Sequence, residues 1–322
     1  MRELQTLSVV IPFFALVLIG YIAARTRFIP VESVPGLNTF VLYFALPAVL
    51  FQLAARTPIT QLVDPTTVGL WIVSGLVIMA FAIGTGLWRK RGWLDSSFGG
   101  LISVFSNSTF MGIPVIVALV GAYAAGPIVT TLLVDIVVMQ SVALAASQQG
   151  THGNARAKVR TALIRVITNP MLIAIVLGAL WGLTGLTMPG AIDSILTILG
   201  AAATPVALFT IGAVLAREAL RGVPEDRSGS NVLAGDVTWL TGLKLLLHPA
   251  LVWSLGHLAM SVGLQLSAED LRVLVLVAAL PSAANVSMLA ERLGADNGRI
   301  ARVILLSTLF GFATFSTIAL FV

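Results

Sequence analysis

Two short runs in an otherwise apolar sequence carry residues able to hold a small polar solute. The first is Asn107, Ser108 and Thr109, followed by Gly112 and Pro114; the second is Pro281, Ser282 and Asn285. Each lies near the middle of a stretch long enough to cross a bilayer. Proline lacks the amide hydrogen and its ring collides with the preceding helical turn, so each stretch should break there, with 107–113 unwound in the first. Irregular backbone at membrane depth must line a cavity or be buried in protein. The second half of each broken helix would start near the membrane centre, its free N–H groups and positive dipole end pointing inward. Two such ends, with Asn107 and Asn285 as neutral hydrogen-bonding groups, suit an anion such as a carboxylate. A pair of proline kinks satisfied by serine and threonine hydroxyls is the plainer alternative, but the recurrence at corresponding places favours a site.

Asp135, Lys244, His248 and His257 are the ionisable residues well inside apolar stretches. A charge at the bilayer centre costs at least about 2.5 kcal/mol, so each needs a reason. Asp135 lies roughly 12 Å into its stretch at about 1.5 Å per residue. It could carry a proton, hold a cation or pair with a polar neighbour. Lys244 could meet the negative charge of a substrate, or snorkel to the interface on its four-carbon stem. His248, one turn further, is a second candidate for ion coupling, with a structural hydrogen bond as its alternative; His257 reads as structural. Gln140 and Ser141 read as links between helices. Pro47 and Pro205 would bend their helices, and Phe51 and Phe209 would pack.

Enzymatic chemistry finds little to work with. There are three histidines, no cysteine and no His-Glu-x-x-His motif, so no metal site, thiol chemistry or cofactor is expected. The phosphate-binding glycine loop with its lysine is also missing, which excludes a pump's nucleotide-binding subunit. The net charge of +5 is modest and no basic run exceeds Arg89, Lys90 and Arg91, so no nucleic-acid partner is expected.

The elements that must position these residues follow from composition. Of 322 residues, 57% are hydrophobic and 10% charged, with mean hydropathy +0.99; a soluble domain runs near a quarter charged. A polytopic membrane protein in the lipid bilayer is the reading. Ten stretches near the length of about 20 residues that a helix needs to cross can be marked. They are 6–24, 34–54, 67–88, 98–120, 127–147, 163–183, 192–216, 237–262, 271–289 and 300–321. The longest polar connections, 148–161 and 218–236, are too short for a soluble domain. With the N-terminus outside, 15 of the 19 Lys and Arg fall on the cytoplasmic side, in clusters around 25–27, 89–91, 156–165, 217–227 and 292–302. That asymmetry predicts both termini outside in the cell membrane, without a cleaved signal peptide. Trp71, Trp88, Trp181 and Trp239 fall near span ends, as interfacial tryptophans do.

The two halves resemble each other. A shift of 158 places Pro12 on Pro170, Gly20 on Gly178, Pro47 on Pro205 and Ala45–Phe51 on Ala203–Phe209. Further on the shift grows, Gly121 meeting Gly294 and Gly126 meeting Gly298. Five spans per half is an odd number, so the second half enters inverted, the architecture of secondary transporters with a midplane site. The predicted fold is thus all-α, ten transmembrane helices in a five-plus-five inverted repeat of 1–161 and 162–322, helices four and nine broken.

These motifs carry a family resemblance. The runs NSTFMGIPV, LPAVLF, TPVALFTIGA, NPMLIAIVLGAL and LPSAANVSMLAERLGAD are similar to the auxin efflux carrier family, which includes bacterial malonate-type carriers and plant auxin carriers. The likeness covers essentially the whole chain and is most specific in spans four and nine. It implies a carrier of elevator type. Spans one, two, six and seven would form a scaffold, often dimeric; spans three to five and eight to ten would form a moving transport domain around crossed breaks. It also puts Asn107, Pro114 and Pro281 on the crossover and a cation such as Lys244 upstream of a proline. Two departures count. The short loop between spans five and six points to the bacterial branch and away from auxin, and the second break reads PSAAN around Asn285. The expected function is secondary transport of small organic anions such as malonate or malate. A sodium-coupled bile-acid-type symporter or a sodium/proton antiporter shares the fold and is the alternative, weakened because neither break contains a carboxylate. Drug/metabolite exporters have the opposite orientation, a channel would not need paired broken helices, and a receptor would leave them unexplained.

Overall fold

The computed structural model describes residues 2–58, 64–149, 164, 168–220 and 230–322. Among these the chain is helical, with no strand and one isolated β-bridge, between Ser106 and Ser282. Among the described residues six helices are long and apolar enough to cross a membrane: Val34–Arg56, Pro65–Trp88, Ala125–Ser147, Gly190–Arg217, Gly235–Ser261 and Asn297–Phe321. Shorter apolar helices span Ala15–Arg25, Ser108–Val120 and Pro170–Leu183. The molecule is an all-helical, multi-pass membrane protein. Parts of the two polar connections lie outside the described residues, with His152, Arg156, Lys158, Arg160, Arg165, Arg221 and Arg227 and most of 163–167.

Wide turns interrupt four of the helices. In Val41–Ala45, Ser108–Gly112 and Leu243–Leu247 the backbone winds as a π-helix, and a proline follows two residues later, at Pro47, Pro114 and Pro249. The N–H groups of Leu46, Ile113 and His248 each reach back to a carbonyl five residues earlier. The extra residue gives the chain room before a ring that would otherwise press on the preceding turn. The fourth π turn, Asp135–Met139, has no proline behind it.

Helix Arg2–Arg25 packs along Gly190–Leu220, and Pro170–Leu183 along Leu46–Arg56. Glycines make both contacts close, as small residues do between membrane helices. A Cβ on Gly20 would collide with the Phe209 carbonyl, and a Cβ on Gly178 with the Phe51 carbonyl. Gly20 and Gly178, like Phe51 and Phe209, are 158 residues apart, so one contact repeats between the halves with its partners exchanged.

The remaining helices surround two half-helices that are buried over most of their length. Trp93–Val104 is buried from Ser96 to Val104, and Ala268–Ala279 from Val273 to Ala279. At one end of this group Asp236 takes three guanidiniums. The Arg299 Nε–H donates to its carboxylate, Arg89 lies 3.1 Å away and Arg91 3.3 Å. Arg299 also donates to the Asp95 carbonyl at 2.8 Å, and the Asp95 carboxylate accepts from the Asp296 N–H at 2.8 Å. Gly99 leaves the space for this guanidinium, since a Cβ there would come within 2.8 Å of it.

Candidate functional site

The two half-helices end at Val104 and Ala279, and the chain leaves the helix through 105–107 and 280–284 before helix resumes. Where they meet, the Asn107 N–H donates to the Pro281 carbonyl at 2.9 Å and the Ala283 N–H to the Phe105 carbonyl at 3.0 Å. The crossing segments thus satisfy each other's backbone, the requirement for irregular chain inside a membrane protein. Ser282 pins the crossing: its hydroxyl donates to the Ile102 carbonyl at 2.9 Å and its N–H to the Ser307 hydroxyl at 3.1 Å. Gly112 and Gly311 let the chains approach, since a Cβ would reach 2.9 Å from Leu280 and 2.8 Å from the Pro281 ring respectively. The first break differs from the expected unwinding of 107–113. It occupies 105–107, and 108–112 is wound as the π turn. Three non-helical residues suffice for the crossing bonds, and a widened turn accommodates Pro114.

Lys244 is fully buried behind the crossing. Its ammonium donates to the Ser106 hydroxyl and the Ala278 carbonyl, both at 2.7 Å, and lies 3.4 Å from His248 Nδ1. Snorkelling to the interface is therefore overturned: the stem carries the charge inward because two acceptors of the breaks await it. Asp135 is buried too, and its Oδ1 accepts from the Trp71 indole at 2.8 Å. The Trp71 and His248 rings lie 5.2 Å apart, closing a polar cluster drawn from four helices and the break at Ser106. Asp135 Oδ2 and His248 Nε2 have no hydrogen-bond partner. Nearer the helix end, His257 is exposed and its Nδ1 lies 3.0 Å from the Trp253 carbonyl. Among the described residues no group of three His, Asp or Glu could hold a metal ion.

A cavity of about 440 Å³ opens on the other side of the crossing. Phe105, Thr109, Leu132, Ile136 and Gln140 form one wall, Asn285, Leu289 and Arg292 a second, and Thr39, Leu42, Tyr43 and residues 168–171 a third. Its size is that of a small-molecule site. Thr109 and Asn285 are thus on the cavity wall. Asn107 and Ser108 are buried beside them, and Asn107 Oδ1, Ser108 Oγ and Asn285 Oδ1 have no partner within the protein. Pro114, Pro281, Ser282 and Gly112 shape the crossing, whereas Lys244, Asp135 and His248 do not form part of the cavity wall. Sequence reasoning missed Ser106, which sits in the same polar run as Asn107, and took Trp71 for an interfacial residue. Gln140 was read as a link between helices, and Arg292 as a topology signal only. The spacing of Asn285, Leu289 and Arg292, at i, i+4 and i+7, was the available clue to a shared helix face.

A helical membrane protein with a small-molecule cavity against two crossed, broken helices has the form of a transporter. The chain belongs to the membrane transport protein family, that of the auxin efflux carriers, whose model matches residues 6–319. It is 28% identical over 312 residues to a Rhizobium meliloti (strain 1021) protein named "Putative malonate transporter", covering 95% of this chain and 92% of that protein. It is 26% identical over 289 residues to the uncharacterized transporter YfdV of Escherichia coli (strain K12), covering 88% and 86%. Auxin efflux carrier component 8 of Arabidopsis thaliana is 25% identical over 143 residues, 42% of this chain and 38% of that protein. The family is one of membrane transporters rather than enzymes.

Proposed function

We propose that the protein is a secondary carrier of small carboxylates, with malonate or malate as the size class, and that the cavity beside the crossing is its substrate site. The observation that carries this reading is the convergence of three unpartnered polar atoms, on Asn107, Ser108 and Asn285, where the cavity meets the crossing. Buried polar groups are normally paired, so unpaired ones call for a partner that comes and goes. Helical segments restarting at Ser108 and Asn285 add N-terminal dipoles that favour negative charge. Lys244 contributes positive charge from behind, through Ser106, and Asp135 and His248 are the ion-coupling groups. The name of the Rhizobium meliloti relative supports malonate as the first substrate to try.

In this reading ten spans form an inverted repeat of 1–161 and 162–322 with both termini outside. Spans one, two, six and seven are a scaffold, the dimer contact among them. Spans three to five and eight to ten move across it as an elevator. The exchanged contacts of Gly20 with Phe209 and Gly178 with Phe51 support the repeat, and the paired hydrogen bonds of the crossing support it at the centre. The test is uptake of labelled malonate, malate, lactate and indole-3-acetate by proteoliposomes, with and without sodium and at two pH values. Saturable uptake of a small carboxylate that disappears in Asn107→Ala, with expression and thermal stability near normal, is the expected result. Equal uptake by that variant would refute a role for the crossing in transport. Strict sodium dependence would favour the symporter alternative.

A further inference from the structure

Among the described residues Arg292 is the one charged side chain in the cavity wall, in the last turn of the helix Asn285–Leu293. It is exposed and makes no hydrogen bond or ion pair among the described residues. Among the described residues no carboxylate shares the wall with it, so no side-chain charge of opposite sign in the wall offsets it, and low-dielectric walls focus such a field on an incoming ion. Asn285, Leu289 and Arg292 lie along one face of the helix, with Arg292 about 10 Å from Asn285 at about 1.5 Å per residue. The carboxylates of a three- or four-carbon diacid are only a few ångströms apart. A short diacid held by the Arg292 guanidinium therefore starts at the opposite end of this helix face from Asn285 and the crossing.

We infer that Arg292 is a capture residue: it takes the carboxylate of the substrate at the mouth of the cavity, and the substrate then moves inward to Asn285 and the crossing. The inference rests on the carboxylate-carrier reading and adds a first station to it. A guanidinium offers two parallel N–H donors matched to a carboxylate, which gives the station its preference for organic acids over chloride. A cation in the last helical turn also complements the helix dipole, but that role would alter stability and leave transport parameters alone.

The test is initial-rate uptake of malonate into proteoliposomes by the wild type, Arg292→Gln and Arg292→Lys, with the thermal midpoint of each protein measured alongside. Arg292→Gln should raise KM about tenfold, the lower end of electrostatic steering effects, with the maximal rate unchanged. Arg292→Lys should fall between the two. Raising the ionic strength to about 1 M, where the Debye length is about 3 Å, should erase most of the difference. An unchanged KM in Arg292→Gln while the wild type transports malonate would overturn the capture role alone. Absence of saturable uptake of any small carboxylate by the wild type would overturn the carrier reading and this station with it.

Discussion

Two aspartates are buried in the described residues, and their surroundings are opposites. Asp236 is surrounded by the guanidiniums of Arg89, Arg91 and Arg299, so both of its oxygens are engaged. Asp135 has one indole N–H on Oδ1 and nothing on Oδ2. The cation nearest in the cluster, Lys244, spends its protons on Ser106 and Ala278 instead. A carboxylate that is fully paired gains nothing by changing partner and serves as a knot between helix ends. One left half-satisfied in a low-dielectric interior is costly unless something else uses it. The contrast separates a fully paired charge cluster from a half-satisfied one without reference to position in the sequence.

The largest effect should come from untying the knot. Asp236→Ala leaves three guanidiniums facing one another, and breaking a buried ion pair from one side costs about 3–5 kcal/mol. Size exclusion and thermal unfolding in detergent should show aggregated or strongly destabilised protein. A melt like the wild type would deny the knot. Next is Lys244→Met, which orphans the Ala278 carbonyl and weakens the hold on Ser106, at about 1–3 kcal/mol per lost partner. Its thermal midpoint should fall and its uptake vanish, and Lys244→Arg should not rescue uptake because a planar guanidinium does not reproduce the ammonium's bonds to Ser106 and Ala278.

Helix contacts give the third effect. Gly20→Ala and Gly178→Ala each push a methyl into a facing carbonyl, and overpacking of this kind costs about 1–3 kcal/mol. The two losses in thermal stability should be similar, and a large disparity would count against the proposed repeat. Asp135→Asn should have the smallest effect on stability, within about 1 kcal/mol, because the amide oxygen still accepts from Trp71. Its uptake should nevertheless lose the pH dependence of the wild type. A preserved pH profile would make Asp135 a second structural acid and dissolve the contrast with Asp236.

Both breaks were legible in the sequence because proline, glycine and a mid-depth polar run are local signals with local causes. Asn107, Thr109 and Asn285 followed from them and lie at or beside the cavity. The destination of Lys244 was not legible, since its stem reaches either the interface or the crossing, and only the facing Ser106 and Ala278 decide. The π turn at Asp135 has no proline to announce it. Asp236 and Arg299 looked like loop and span-end charges because nothing local says that Gly99, some two hundred residues from Arg299, leaves room for a guanidinium.

The protein has no cysteine, so a single thiol can report on the cavity directly. The decisive measurement is the alkylation rate of Thr109→Cys in proteoliposomes that retain malonate uptake, with malonate titrated into the reaction. Saturable slowing of alkylation, half-complete near the KM for uptake, is the predicted result. A rate indifferent to malonate while uptake persists would place the substrate elsewhere and contradict the account.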